Sequence, residues 1–405
     1  MSASKLTGKP MSAGFSKDDD WDYEIRVALG EARSGATDPG ELLAATDGLH
    51  RGDAVGWRQA WVGLGRRMAE DAGAAHDAGH PVSAASAYLR AASYLARGVN
   101  AAAAETNDPD LLPLFREHRA AWEAFLDASD LDVERFGIPL DGHEMPAWLL
   151  AAEGATGPVL LGVNGSDGAL TSMWSAIAKP ALDRGYRVLL FDGPGQQSML
   201  FEHEVAFRPD WGPVLTAVVD ALVARPALDG VPIVGYAISQ GGYWLPQGLA
   251  SEHRLAAAIA DPGVVQVSTS WTGHLPGSLM KAFHAGKQHD FDRDMELGMK
   301  FSADTARTWE FRARPYRTDG PFATLAAVMA YDARDVLPQV TTPLFVAGPE
   351  DEQFWPGQSA ELAKLVPSAT LVPFTAAEGA NLHCEPLGRA VFEQRAFDWL
   401  DEVLP

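Results

Sequence analysis

The sequence predicts an α/β fold with a mostly parallel central sheet, preceded by a region that is helical throughout. From Trp21 to about Ser129, apolar residues recur every three to four positions, which is typical of amphipathic helices. Asp141-Gly142, a strong hairpin signal, then joins two strand-like runs. Beyond this hairpin, short apolar runs alternate with helical segments. Such alternation predicts parallel strands with helices on both faces of the sheet.

The alternating region contains eight predicted strands, and helices connect most of them. The strand-like runs are Val133–Pro139, Glu144–Ala151, Pro158–Val163, Tyr186–Phe191, Val231–Val234, Leu255–Ala260, Pro343–Ala347 and Ala369–Pro373. The predicted helices among and after them are Thr171–Asp183, Asp210–Ala224, Gly241–Ser251, Gly357–Leu365 and Pro386–Val403. The alternation breaks over Asp261–Gln339, where only helix-like segments occur. We therefore predict a flexible leader at residues 1–18, a helical cap at 19–130, and an α/β domain at 131–405 with a lid-like insertion at about 262–339.

The composition narrows the possible partners. The 405-residue chain has a formal net charge of −22, which argues against nucleic acid, because phosphate binding depends on clustered Lys and Arg. Cys384 is the single cysteine, so neither an intrachain disulfide nor a multi-cysteine metal site is expected. There is no apolar run of membrane-spanning length and no secretory signal pattern at the start. We expect a cytoplasmic protein with a small-molecule substrate, no cofactor or metal, no membrane contact and possible homodimerisation.

A candidate nucleophile lies at the end of a predicted strand. The stretch Ile233–Trp244 reads IVGYAISQGGYW and places Ser239 between Ala237 and Gly241. This pattern resembles the G-x-S-x-G nucleophile elbow, in which a strand turns sharply into a helix with the serine at the apex. Small residues are needed on both sides because the turn brings their Cα atoms close together. Ala237 replaces the usual first glycine and is small enough to be tolerated.

An acid and a histidine follow in the order that this elbow requires. A serine hydroxyl becomes a good nucleophile when a histidine takes its proton and a carboxylate orients that histidine. The loop after strand Pro343–Ala347 contains Glu350, Asp351 and Glu352, and we favour Asp351 as the acid, with the two glutamates as rivals. His383 is the one histidine beyond the last predicted strand. The predicted triad is therefore Ser239, Asp351 and His383.

Further residues are predicted around this triad. The backbone N–H groups of Ser166 and Gln240 are candidates for an oxyanion hole, because one lies in the loop after a strand and the other follows the nucleophile. Candidate substrate-pocket aromatics are Trp174, Tyr236, Trp244, Trp271 and Phe354. No competing motif is convincing. The stretch Gly193-Pro-Gly195 lacks the third glycine of a dinucleotide site, and no P-loop or metal-binding histidine pair occurs.

With these residues placed, the chain resembles the FrsA-like branch of the α/β-hydrolase superfamily, which includes 2,6-dihydroxypseudooxynicotine hydrolase. The resemblance rests on SAASAYLRAASYLARG, VNGSDG, FDGPGQ, FRPDW, GYAISQGGYW, GPEDEQFWPGQ and EGANLHCEP. It implies an α/β-hydrolase fold with the N-terminal helices as a cap over the site, and Ser239, Asp351 and His383 as the triad. Members of this group hydrolyse esters or cleave C–C bonds next to a carbonyl.

One departure from that group bears on the reaction. Some of its C–C hydrolases carry an extra acid after the strand that follows the nucleophile helix. Here that stretch reads DPGVVQVSTSWTG, with no acid between Asp261 and Asp290. We expect a serine hydrolase for an ester, a lactone or a β-dicarbonyl-type C–C bond in a small to medium, largely apolar or aromatic substrate. A cyclase or acyl-transfer enzyme, a peptidase and a non-catalytic binding protein are the alternatives.

Overall fold

The computed structural model describes residues 14–404. The leader predicted at residues 1–18 therefore lies largely outside the described residues. In its last part, the Phe15 backbone N–H donates a hydrogen bond to the Asp22 carboxylate at 2.5 Å. This contact joins the end of the predicted leader to the first helix.

The cap region is helical, as the apolar periodicity predicts. Its helices are α1 (Asp19–Glu31), α2 (Pro39–Thr46), α3 (Ala54–Asp77), α4 (Pro81–Ala103) and α5 (Leu111–Ala128). Asp18 caps α1 by accepting hydrogen bonds from two backbone N–H groups of the first turn, and Pro81 starts α4 at a position where its missing N–H costs nothing. The buried Trp61 and Tyr94 stack between α3 and α4, with ring centroids 6.1 Å apart. Residues of the apolar pattern read from the sequence thus pack inside the cap.

An eight-stranded sheet forms the centre of the rest of the described chain. Its strands are β1 (Asp132–Leu140), β2 (His143–Ala151), β3 (Val159–Val163), β4 (Arg187–Phe191), β5 (Ile233–Ile238), β6 (Ala257–Asp261), β7 (Leu344–Pro349) and β8 (Ala369–Phe374). Their spatial order is β1-β2-β4-β3-β5-β6-β7-β8. β1 and β2 form the predicted antiparallel hairpin, β2 pairs antiparallel with β4, and the remaining pairs are parallel. Each predicted strand corresponds to a strand of the structure.

Helices cover both faces of this sheet. The helices between strands are α6 (Leu170–Met173), α7 (Lys179–Leu182), α8 (Gln197–Phe201), α9 (Gly212–Val223), α10 (Gly241–Leu249) and α16 (Gln358–Leu365), and α17 (Arg389–Val403) follows the last strand. A wide π turn at Trp174–Ala178 joins α6 to α7. The insertion contains α11 (Thr269–Thr272), α12 (Gly277–His284), α13 (Gln288–Phe301), α14 (Ala303–Ala313) and α15 (Gly320–Met329). The predicted α/β fold with a helical cap is confirmed.

The cap and the insertion both pack at the carboxyl edge of the parallel strands. Arg119 on α5 donates to the Asp192 carboxylate just after β4, at 2.6 Å. Arg314, which follows α14, donates to the carbonyl of Ala103 at the end of α4, at 2.9 Å. Ligands of open parallel sheets bind at this edge. The arrangement therefore encloses the place where a site is expected.

Candidate active site

Ser239 lies in a strained turn between β5 and α10. Its φ is +55°, a left-handed conformation that non-glycine residues seldom adopt. Its N–H donates to the Asp261 carbonyl at 2.7 Å, and its carbonyl accepts from the Gly242 N–H at 2.9 Å. A Cβ placed on Gly241 would lie 3.4 Å from the Ala237 Cβ but only 2.7 Å from the Val163 carbonyl oxygen. Glycine is thus required at 241, whereas alanine fits at 237, and the elbow forms as predicted.

The structure brings Ser239 and His383 together. The Nε2 atom of His383 lies 2.9 Å from the Ser239 Oγ, within hydrogen-bond distance for proton transfer. On the other side of the ring, Nδ1 lies 2.9 and 2.8 Å from the two carboxylate oxygens of Glu352. The imidazole therefore connects a hydroxyl to a carboxylate, in the order nucleophile, base and acid.

Glu352, rather than Asp351, is the acid beside the histidine, and the preference for Asp351 was wrong. The Glu352 side chain is buried, and its Oε1 also accepts the backbone N–H groups of Phe354 and Trp355, at 2.9 and 3.1 Å. These three donors hold the carboxylate against the imidazole. Asp351 instead accepts the side-chain amide of Asn381 at 2.6 Å, and so ties its loop to the histidine loop.

Glu350, the third acid of this loop, also has a separate partner. Its carboxylate accepts the Ala376 N–H at 3.0 Å, beyond the end of β8. The three successive acids thus point in three directions. Their roles depend on the local turn, which motif spacing does not specify.

Two contacts around His383 were not predicted. The phenol of Tyr23, on α1 of the cap, donates to the His383 carbonyl at 2.7 Å. The His383 N–H donates to the Gln353 side chain at 2.7 Å. Tyr23 and His383 are 360 positions apart, so no sequence pattern links them. The cap therefore supports the histidine loop directly.

The loop after β3 lies close to Ser239. A Cβ at Gly165 would lie 2.9 Å from the Ser239 Cβ, so only glycine allows this loop to approach the serine. The Asn164 side chain accepts the Gly165 N–H at 2.8 Å and donates to the Gly168 carbonyl at 2.7 Å. Ser166 and Gln240 both line the cavity that contains Ser239. Their roles as oxyanion donors stay a prediction.

The candidate site opens into a cavity of about 540 Å³ between the cap, the insertion and the sheet edge. This volume is within the range of small-molecule sites. Its aromatic lining comes from all three regions of the chain and consists of Trp21, Tyr23, Trp57, Phe207, Trp271, Phe311, Tyr316, Phe354 and Trp355. The cap and the insertion thus supply most of the surface that a substrate would contact.

Two of the five predicted pocket aromatics line this cavity, namely Trp271 and Phe354. The other three are core residues, contrary to prediction. Trp174 packs edge-on against Phe125 of the cap, with ring centroids 5.0 Å apart. Trp244 stacks on the buried Trp211 at 5.0 Å, and the Tyr236 hydroxyl donates to the buried Asp261 carboxylate at 2.8 Å. Closeness to Ser239 in the sequence does not show on which face of a strand or helix a side chain lies, so it could not separate cavity residues from core residues.

Two charged side chains that line the cavity have no ion-pair partner among the described residues. Among residues 14–404, Arg312 makes no ion pair, and its guanidinium donates to the Ser270 Oγ at 2.9 Å and lies 4.4 Å from the Trp271 ring centroid. Burial lowers its pKa to about 10, so it remains cationic at neutral pH. Glu24 likewise has no ion pair among the described residues, and burial raises its pKa to about 7. The cavity therefore offers a guanidinium and a carboxyl group that is partly protonated at neutral pH.

The described residues contain neither a candidate metal centre nor a candidate membrane span. In the described part of the chain, no group of three or more His, Cys, Asp or Glu side chains is placed to hold a metal ion. None of the helices in residues 14–404 combines the length and the apolar character needed to cross a membrane.

Comparisons with known proteins identify the family. The sequence profile described as "Alpha/beta hydrolase family" matches residues 159–395, which is more than half of the chain. The chain therefore belongs to the alpha/beta hydrolase family, and the family predicted from the sequence is confirmed.

Full-length relatives extend the similarity into the cap. Hydrolase acrC from Aspergillus aculeatus is 28% identical over 421 aligned residues, covering 96% of this chain and 97% of acrC. Hydrolyase poxO from Penicillium oxalicum is 27% identical over 354 residues, covering 82% and 83%. Among solved structures, 2,6-dihydroxy-pseudo-oxynicotine hydrolase matches with a TM-score of 0.72 and 22% identity over 93% of this chain and 95% of that one. This likeness shows that the two proteins share a fold over nearly their whole length.

Proposed function

We propose that the protein is a serine hydrolase that cleaves an ester, a lactone or a carbonyl-adjacent C–C bond in a small to medium, largely apolar or aromatic compound. The observation that carries the proposal is the hydrogen-bonded series Ser239–His383–Glu352 at the floor of an aromatic cavity. A serine, a histidine and a carboxylate in this geometry perform acyl transfer on unrelated folds. The hydrolase relatives and the family membership agree with this chemistry.

The proposed reaction begins when the Ser239 Oγ attacks the substrate carbonyl carbon and His383 takes the hydroxyl proton. The resulting oxyanion is stabilised by the backbone N–H groups of Ser166 and Gln240. When the intermediate collapses, the bond to the leaving group breaks and His383 donates its proton to that group. Water then attacks the acyl-enzyme, with His383 as base, and releases the acid and free Ser239. Glu352 keeps its negative charge throughout and stabilises the imidazolium.

The leaving group distinguishes the two reaction types. An ester or lactone releases an alkoxide, whereas a β-dicarbonyl compound releases a carbanion that its second carbonyl stabilises as an enolate. The same attack by Ser239 serves both. The aromatic lining favours ring-bearing substrates in either case, because flat apolar surfaces bury well against Trp and Phe side chains.

The proposal is tested by incubating the full chain with a fluorophosphonate probe, then assaying p-nitrophenyl esters and β-diketones in parallel. We expect a single covalent adduct at Ser239 and turnover of at least one substrate class. An adduct without turnover of either class would favour a cyclase or acyl-transfer enzyme over a hydrolase. The absence of an adduct would contradict the proposal and favour a binding protein.

Arg312 is expected to set a preference for substrates that carry an acidic oxygen. An unpaired guanidinium in a binding cavity gains most from a carboxylate or enolate, which replaces lost hydration with charge-assisted hydrogen bonds. Arg312→Gln should lower the ratio of kcat/KM for a carboxylate-bearing p-nitrophenyl ester to that for its methyl ester by about 10- to 100-fold. Steady-state kinetics on this matched ester pair measure the ratio.

Arg307→Gln is the matched control, because Arg307 lines the same cavity but already pairs with Asp304. It should leave the ratio almost unchanged. Equal ratios for wild type and Arg312→Gln would rule out the role assigned to Arg312.

A further inference from the structure

A buried cluster of charged groups lies beneath the elbow and has no part in the proposed mechanism. Asp261 at the end of β6 and Glu385 after the histidine loop are 0% exposed, and Arg389 at the start of α17 is 7% exposed. Tyr236 of β5 completes this cluster, which we call the elbow cluster. Two buried carboxyl groups thus share one guanidinium. If both were ionised, one buried negative charge would have no counter-charge, which is costly.

Arg389 connects four separate segments. Its Nη1 donates to the Asp261 carboxylate at 2.7 Å, to the Cys384 carbonyl at 3.1 Å and to the Glu385 carboxyl at 3.3 Å. Its Nη2 donates to the Ala176 carbonyl at 2.7 Å and to the Tyr236 hydroxyl at 3.2 Å. Removing this side chain would release all of these contacts together.

The elbow cluster adjoins both Ser239 and His383. The Asp261 carbonyl accepts the Ser239 N–H at 2.7 Å and the Cys384 thiol at 3.4 Å. Ser239, Cys384 and Glu385 have left-handed φ values of +55°, +57° and +43°. Such conformations cost free energy in non-glycine residues and persist only where the surroundings hold them. The contacts of Arg389 and Asp261 provide that support on both sides of the Ser239–His383 pair.

The imbalance of charge indicates a bound proton. Asp261 Oδ1 and Glu385 Oε1 are both buried, and neither has a hydrogen-bond donor among the described residues. Two ionised carboxylates cannot hydrogen-bond to each other, but the Glu385 and Asp261 side chains lie within hydrogen-bond reach, so a proton on one of them would supply the missing donor. Burial and the neighbouring Asp261 raise the pKa of Glu385 well above its ordinary value, while Arg389 acts in the opposite direction. Tyr236, Cys384 and Glu352 are the other titratable groups that face this pair.

We propose that Glu385 is protonated in the folded protein and donates to Asp261, and that this carboxyl pair and Arg389 act as positioning residues for Ser239 and His383. The positioning role rests on the proposed function, whereas the protonation of Glu385 does not. The two parts can therefore be tested separately.

The protonation is tested by thermal unfolding of wild type and Glu385→Gln between pH 5 and pH 8. A folded-state pKa above the unfolded value means that the folded chain retains a proton that the unfolded chain releases, so Glu385 destabilises the fold as pH rises above about 4.3. The glutamine amide donates as the protonated acid does, but does not titrate. We expect the Tm of Glu385→Gln relative to wild type to rise from pH 5 to pH 8.

Glu393→Gln is the matched control, because Glu393 is a buried acid of α17, the helix that begins at Arg389, and its carboxylate pairs with Arg33 at 2.8 Å. Its Tm relative to wild type should not rise over this range. A Tm of Glu385→Gln that falls below wild type equally at both pH values would show that Glu385 is ionised and would overturn this part of the proposal.

The positioning role is tested by the rate of fluorophosphonate labelling and by ester kinetics of Arg389→Lys, Glu385→Ala and Glu385→Gln. Lysine keeps the charge but cannot reach all five acceptors, so kcat should fall about 10- to 100-fold with KM nearly unchanged. Glu385→Ala removes the donor to Asp261 and should also lower kcat, and most of this loss should be absent in Glu385→Gln, whose amide replaces that donor. If folded Arg389→Lys had full activity, the elbow cluster would stabilise the fold without positioning Ser239 and His383, and this part of the proposal would be wrong. No labelling of wild type would instead contradict the proposed function and leave the unfolding result to decide the protonation.

Discussion

Ser239→Ala is expected to lower kcat/KM for a p-nitrophenyl ester by about 10⁵- to 10⁶-fold and to abolish fluorophosphonate labelling. The reason is that the Ser239 Oγ is the hydroxyl within 2.9 Å of the His383 imidazole, and alanine removes the atom that forms the covalent bond. The fold should survive, because the left-handed turn at 239 is held by backbone hydrogen bonds to Asp261 and Gly242. Intact-mass spectrometry of the adduct and initial-rate kinetics measure both effects.

A neighbouring serine provides the control for this experiment. Ser172 lines the same cavity but is not hydrogen-bonded to His383. Ser172→Ala should keep the adduct and change kcat/KM by less than about tenfold. If Ser239→Ala retained the adduct, the reactive serine would lie elsewhere and the proposed mechanism would fail.

The general architecture could be predicted because it depends on patterns that are local in sequence. The eight strands were recognisable as short apolar runs, and the cap helices showed their periodicity over long windows. Ser239 and His383 were also predictable, since an elbow and a late histidine occupy characteristic positions in this chain order. The expected closeness of residues 237 and 241 is present, and the structure adds a second reason for glycine at 241, namely the approach of the Val163 carbonyl of β3 to the start of α10.

The remaining features depend on directions of side chains and on distant contacts. Trp174 and Trp244 face the core rather than the cavity, because each lies on the packed side of its helix. Tyr23 reaches the histidine loop from the other end of the chain. The insertion helix α14, which carries Arg312, shows too weak an apolar pattern to be recognised, because most of its residues are polar or small and none of them is fully buried. Much of the cavity lining therefore comes from regions for which sequence patterns are least informative.

Glu352→Gln is expected to lower kcat by about 10³- to 10⁴-fold, although the Ser239 nucleophile itself is unaltered. The carboxylate accepts a hydrogen bond from the Nδ1–H group of His383, which leaves Nε2 free to take the serine proton. A glutamine amide can instead donate to Nδ1, which places the ring proton on Nε2 and removes the base. The loss should appear mainly in kcat, and slower fluorophosphonate labelling should accompany it.

Asp351 and Glu350, the two acids beside Glu352, provide the controls for this variant. Asp351→Asn should lower kcat by less than about tenfold, because Asp351 bonds to Asn381 and not to the imidazole. Glu350→Gln should behave in the same way, since its carboxylate accepts the Ala376 N–H. A larger loss in either variant than in Glu352→Gln would return the role of the acid to that residue. Glu352→Asp keeps the charge but shortens the side chain, so recovery of part of the Glu352→Gln loss would show that the carboxylate, not packing, supports His383.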